Sequence, residues 1–251
     1  MQRRLGPLRA EVIEAESPKF TAPMLLLHGL WARASVWRRF MGFLSHRGWQ
    51  CVAVERERGS LGAPERALTQ ILEAIAVLEA PPVIVGHDVG ALFALLAAGH
   101  ARAVVALAPI VPPPTAPAAP RLLRHAGTWL QRIFGRPLSP PREYRSDLRH
   151  ADVREPPSLV RALTTGPLLL PPLPPAVPSV VWVAANDPVM PMETARALAT
   201  HTGAELRVCS TGGHDLPSAD GWEGRVSDIH RWVIQRLGSE LLAFYEDETE
   251  S

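Results

Sequence analysis

Gly86-His87-Asp88-Val89-Gly90 separates a short apolar run, Val83–Val85, from a longer one, Val89–Ala98, and the rest of the chain is read outward from it. Three β-branched residues, preceded by Pro81-Pro82 and followed by a glycine, make a strand of the first run. The second is long enough to be a helix. The pentapeptide is therefore a strand-to-helix turn with a glycine at each end. Glycine is needed there because the backbone bends sharply and neighbouring chain crowds it. The central residue, Asp88, is projected from the strand tip, with the positive end of the helix beneath it.

Similar alternation extends in both directions. Met24–Leu27 and Cys51–Val54 read as buried strands upstream, and Val104–Leu107, Val180–Val183 and Leu206–Cys209 as strands downstream. Glu65–Leu78 carries Leu68, Ile71, Leu72, Ile75 and Leu78 at helical spacing and is stopped by Pro81-Pro82. Thr194–Thr200 and the amphipathic Trp222–Leu237 are further helices. Strands alternating with helices predict a parallel sheet covered on both faces. The alternation breaks once. Pro109, Pro112, Pro113, Pro114, Pro117 and Pro120 open a segment that Pro167, Pro171, Pro172, Pro174, Pro175 and Pro178 close. Proline removes a donor and fixes φ, so neither stretch can be a central strand. From Val180 the sheet pattern resumes. Residues 1–111 and 179–251 are thus expected to form one α/β core, and 112–178 a helical lid inserted after a strand, over the sheet edge where ligands bind.

Two further loops carry chemistry in a defined order. After Val180–Val183 comes Ala185-Asn186-Asp187-Pro188, which presents Asp187; after Leu206–Cys209 comes Thr211-Gly212-Gly213-His214-Asp215, which presents His214. The order nucleophile, acid, histidine behind a G-x-Nuc-x-G elbow is that of a hydrolytic triad. Asp215 is the second candidate for the acid, but its neighbouring side chain should point away from the imidazole. Upstream, His28-Gly29-Leu30-Trp31 follows the first clear strand, where the Leu30 N–H would join that of Val89 in an oxyanion hole.

On these motifs the chain resembles the α/β-hydrolase superfamily from about Met24 to Leu237. The resemblance implies a mainly parallel eight-stranded sheet, a lid after the sixth strand, Asp88 as nucleophile, His214 as base and Asp187 as the acid that orients it. Gly-His-Asp-x-Gly resembles the branch with an aspartate nucleophile, the epoxide hydrolases and haloalkane dehalogenases. An aspartate changes the reaction class. A carboxyl with a reference pKa near 3.9 is already anionic at neutral pH. It attacks ester carbonyls poorly, because the anhydride formed returns to reactants. It suits displacement at sp³ carbon, giving an alkyl ester that water, activated by His214, then hydrolyses. Epoxide hydrolysis is the leading expectation, with haloalkane dehalogenation or ester and lactone hydrolysis as alternatives. A non-catalytic protein that binds a small apolar ligand is the alternative of another class. Epoxide hydrolases typically use two lid tyrosines, and this lid has one, Tyr144; the other tyrosine, Tyr245, lies in the C-terminal tail. Dehalogenases place a tryptophan after the nucleophile, where Val89 stands. Trp31, Trp129 and Tyr144 are the candidate donors to the leaving group.

Composition narrows the rest. Of 251 residues, 47% are hydrophobic and 20% charged, with a formal charge of +1. That balance supports a large core and gives no electrostatic reason to expect nucleic acid or a membrane surface as partner. Arg142, Arg145 and Arg149 fit a solvated helix face. Lys19 alone is lysine, in a turn-like segment, which argues against a P-loop or Schiff-base chemistry. Cys51 and Cys209 read as buried free thiols. His46, His100, His125, His150, His201 and His230 lack metal-ligand spacing, so no metal or cofactor is expected. Without an apolar run after Arg3 and Arg4, the expected location is the cytoplasm.

Overall fold

The computed structural model describes residues 1–57, 64–111, 139–140, 153–156, 158–159, 163 and 169–241. Among them are eight strands: β1 (Gln2–Leu5), β2 (Leu8–Ile13), β3 (Met24–Leu27), β4 (Cys51–Glu55), β5 (Val83–His87), β6 (Ala103–Leu107), β7 (Ser179–Ala184) and β8 (Glu205–Cys209). They form one sheet in the order β1-β2-β4-β3-β5-β6-β7-β8. From β4 to β8 every neighbouring pair is parallel. β2 joins β4, and β1 joins β2, antiparallel.

The apolar runs alternate between two cores because side chains of a strand point to opposite faces. Leu25, Leu27, Val52, Val54, Ile84, Val104, Val181 and Val183 pack on one side. That side is covered by α2 (Pro64–Ala76), α3 (Val89–Leu96) and α4 (Met192–Thr202). Met24, Leu26, Cys51, Ala53, Val83, Val85, Val105, Val180 and Trp182 pack on the other, under α1 (Arg38–Ser45) and α5 (Trp222–Leu241). Burial on both faces is why these strands read as continuous apolar runs. β7 pairs with β6 directly, Leu107 opposite Trp182. The Pro-bounded insertion therefore leaves and rejoins the sheet at adjacent strands.

Three elements differ from expectation. The β1–β2 hairpin was absent from the sequence reading because Arg3, Arg4, Arg9 and Glu11 alternate with Leu5, Leu8, Ala10 and Val12, leaving no apolar run. It turns in two residues, with Gly6 at φ +56° and Leu5 opposite Leu8. α1 was also absent; it buries Phe40, Met41 and Leu44 behind a short 3-10 turn, Ala34–Trp37. Both cysteines are free, but Cys209 is only partly buried, unlike Cys51. Among the described residues no helix is long and apolar enough to cross a membrane.

Candidate active site

The elbow is strained and over-determined. Asp88 has φ 57° and ψ −121°, a conformation that costs a residue with a side chain roughly 1–3 kcal/mol. Backbone bonds on both sides hold it there. The Asp88 N–H donates to Leu107 O at 3.0 Å, and its carbonyl accepts from Ala91, Leu92 and Ile110 at 3.1, 3.3 and 3.2 Å. A side chain at Gly86 would collide with the backbone of Gly90, and one at Gly90 with the carbonyl of Leu27. The glycine spacing thus reports helix–strand contact. Gly29 serves a different contact: a Cβ there would stand 2.7 Å from Asp88 Cβ, so glycine lets the loop after β3 cross close to Asp88.

The structure brings together Asp88, His214 and Asp187. His214 Nε2 lies 3.2 Å from Asp88 Oδ2, and its Nδ1 lies 3.0 Å from Asp187 Oδ2. All three side chains are fully buried. The second Asp88 oxygen accepts the Val89 N–H at the start of α3. Asp187 Oδ1 accepts the amides of Val189 and Met190 at 2.8 and 2.9 Å, which fixes the carboxylate against the ring. Asp215 accepts from Ser218 Oγ at 2.6 Å, closing the turn that follows His214. His87 donates from Nε2 to the His214 carbonyl at 2.8 Å, supporting the backbone beneath the imidazole.

Charge in this cluster follows from its geometry. Burial lowers the His214 pKa, but the Asp187 carboxylate and then Asp88 outweigh it and raise the value to about 10. With a carboxylate against each nitrogen, the resting ring carries both protons. Burial likewise opposes ionisation of Asp187, yet its His214 partner and two amide donors hold it below the ordinary value. His87 is pushed down by burial and by the neighbouring His214 charge, and stays neutral. The His214 contribution to stability is full below its unfolded value of about 6.5 and is lost as pH climbs toward about 10. Removing the Asp88 charge removes one of the groups that raise His214. Asp88→Asn should therefore lower the His214 titration midpoint, read from imidazole ¹⁵N shifts between pH 6 and 10. An unchanged midpoint would show that the two groups are not electrostatically linked.

Of the two expected oxyanion donors, Leu30 lies in the loop after β3 and Val89 at the start of α3, and both are fully buried. Trp31 adopts φ 56°, and its side chain has no exposed surface, packed in the core with Leu30 and Val89. Tyr144 and Trp129 lie outside the described residues. Two residues absent from the sequence reading belong to the site. Glu155 Oε1 accepts the Trp31 N–H at 2.9 Å, and Arg56 grips both Glu155 oxygens at 2.8 and 3.0 Å. Breaking such a buried pair on one side costs about 3–5 kcal/mol. Arg56 could have been flagged as a charge at the C-terminal tip of an interior strand. Glu155, between Arg154 and Pro156, carries no local signal.

The sequence profile of the alpha/beta hydrolase family matches residues 24–228, and the chain belongs to that family. Among solved structures, it is similar to the monoacylglycerol lipase of Paleococcus ferrophilus, at 17% identity and TM-score 0.66, over 91% of this chain and 99% of the lipase. It is similar to Est1E of Butyrivibrio proteoclasticus, solved with ferulic acid, at 14% identity and TM-score 0.68, over 95% and 100% of the two chains. An esterase of Exiguobacterium antarcticum gives 15% identity and TM-score 0.64 over 90% and 95%. At such identities these likenesses establish the fold. No curated protein matches the chain in sequence.

Proposed function

We propose that this protein is a hydrolase in which Asp88 attacks an sp³ carbon of a small apolar electrophile, with epoxides as the substrate class. The observation that carries the reading is a carboxylate at the elbow, 3.2 Å from an imidazole whose other nitrogen meets a second carboxylate at 3.0 Å. In the first step an Asp88 oxygen forms a bond to a ring carbon and the C–O bond of the ring breaks. The opened oxygen takes the electron pair and needs one proton. The resting imidazolium holds that proton. Once Asp88 is esterified and neutral, the charge that kept His214 protonated is halved, and the proton passes to the new alcohol. Tyr144 is the lid candidate to hydrogen-bond this oxygen as it forms. In the second step neutral His214 takes a proton from water, and hydroxide attacks the Asp88 carbonyl carbon. The amides of Leu30 and Val89 stabilise the tetrahedral oxyanion. Collapse releases the diol and restores both carboxylate and imidazolium, so the cycle needs no further acid or base.

A second reading has its own support, since the structural relatives named above include a lipase and an esterase. On it the same His214 and Asp187 would serve carbonyl chemistry, with Asp88 assisting water as a base. The test is a screen of styrene oxide, a bromoalkane and an aryl ester against wild type and Asp88→Ala. Epoxide turnover should fall to background in the variant. Ester turnover by wild type that Asp88→Ala abolishes, with no epoxide consumption by wild type, replaces the first reading by the second. Bromide release without epoxide turnover selects the dehalogenase alternative, and silence on all three favours a ligand-binding protein.

A further inference from the structure

The insertion after β6 delivers one carboxylate to the oxyanion loop that the catalytic cycle above does not use. Glu155 has no exposed surface, although ionised glutamate is expensive to bury. Its Oε1 accepts the Trp31 amide at 2.9 Å. The loop is also tied at its ends: the Arg56 N–H donates to His28 Nε2 at 3.2 Å, and the Ala34 N–H to Glu55 Oε2 at 2.8 Å. Glu155 adds the tie at the middle, where Trp31 departs from ordinary backbone geometry at φ 56°. The Trp31 and Leu30 amides belong to consecutive peptide planes that share the Leu30 Cα. Fixing one restricts the other.

We propose that Glu155 is a positioning residue: by holding the Trp31 amide, it aims the Leu30 N–H at the Asp88 carboxyl, while Arg56 cancels its charge. An unneutralised carboxylate beside the hole would oppose the oxyanion it is meant to stabilise. The paired guanidinium removes that penalty, and its bidentate fork fixes where the carboxylate points. The insertion thereby contributes to the chemistry through one backbone amide.

The inference rests on the Asp88-ester reading and makes a demand specific to it. Alkylation discharges the Asp88 carboxylate, so hole donors do not assist that step. Hydrolysis builds negative charge on the Asp88 oxygen and depends on them. Arg56→Met/Glu155→Leu removes the acceptor without stranding a buried charge, a swap that proteins often tolerate. With styrene oxide, rapid-quench intact mass should show alkylation within about threefold of wild type, and diol release slowed by about 10- to 100-fold. Ester should therefore accumulate. Glu155→Gln keeps an oxygen for Trp31 and should slow diol release only about two- to fivefold, again without affecting alkylation. This variant decides the matter if the double replacement does not fold. Equal slowing of both steps, or no slowing of either, overturns the proposal in both variants. His214→Gln is run beside them with styrene oxide and with a bromoalkane, whose displacement needs no proton: no adduct on Asp88 from either sinks the Asp88 reading itself. An adduct there without ester accumulation in the double variant sinks only the role of Glu155.

Discussion

His214→Gln should turn the protein into a trap for its own substrate. Forming the Asp88 ester needs a carboxylate nucleophile, an electrophilic carbon and, for an epoxide, a proton that water supplies more slowly once the imidazolium is gone. Clearing it needs a base to take a proton from water. Nucleophile and base are different residues, and the geometry separates them: Asp88 sits on the elbow, and His214 approaches its Oδ2 at 3.2 Å from a different loop. Loss of the base should slow hydrolysis by on the order of 10²- to 10⁴-fold, enough for the ester to outlive a mass measurement. Gln is preferred to Ala because its amide can still donate to one of two carboxylates that would otherwise face each other in a dry site. After exposure to styrene oxide, intact mass should rise by the whole mass of the epoxide, since ring opening expels nothing. A bromoalkane should add only its alkyl group. Peptide mapping should place either adduct on Asp88. Attachment elsewhere would end the mechanism, and an unmodified variant would leave the carboxylate without a nucleophilic role.

How far the sequence revealed this site depends on where each constraint is local. The elbow was legible because steric crowding forces glycine at 86 and 90, and because Val83–Val85 and Val89–Ala98 carry the strand and helix themselves. Interior strands were legible for a related reason: burial on both faces leaves runs such as Val104–Leu107 with no polar residue. Their observed limits, such as Ala103–Leu107 and Ser179–Ala184, differ by one residue. The edge hairpin was not legible, since its half-exposed strands put Arg3, Arg9 and Glu11 between the apolar positions, and cross-strand pairing cannot be read from either strand alone. α1 was missed because its four buried positions, Phe40, Met41, Leu44 and Ser45, span barely two turns, too short a stretch to establish a period. Glu155 is the limiting case. Its partners, Trp31 and Arg56, lie 124 and 99 residues away, so only the fold brings it to the loop after β3.

Asp187 rather than Asp215 should control the rate. Both are buried aspartates near His214 in the fold, and Asp215 is its neighbour in sequence. Adjacency, however, is not orientation. Asp187 leaves the tip of β7 and meets His214 Nδ1 with both oxygens, at 3.0 and 3.2 Å. Amides of Val189 and Met190 pin it there. Asp215 spends one oxygen on Ser218 Oγ, and its carbonyl accepts from Ser218 and Ala219, so it shapes the turn that carries the histidine. Asp187→Ala removes the carboxylate that does most to raise the His214 pKa and frees the ring to rotate. Turnover should fall by about 10²- to 10⁴-fold, as on loss of a triad acid. Asp187→Asn should be nearly as damaging, because an amide cannot stabilise the imidazolium and can select the wrong tautomer. With the ring less basic, the pH at which the variant reaches its residual maximum should move down. Asp215→Ala should instead lower stability by about 1–3 kcal/mol through the lost turn bond, leaving the rate at saturating substrate within about tenfold. Measuring kcat, its pH profile and thermal unfolding for all three variants separates the two roles. A pH profile that shifts in Asp215→Ala but not in Asp187→Ala would reverse the assignment of the acid.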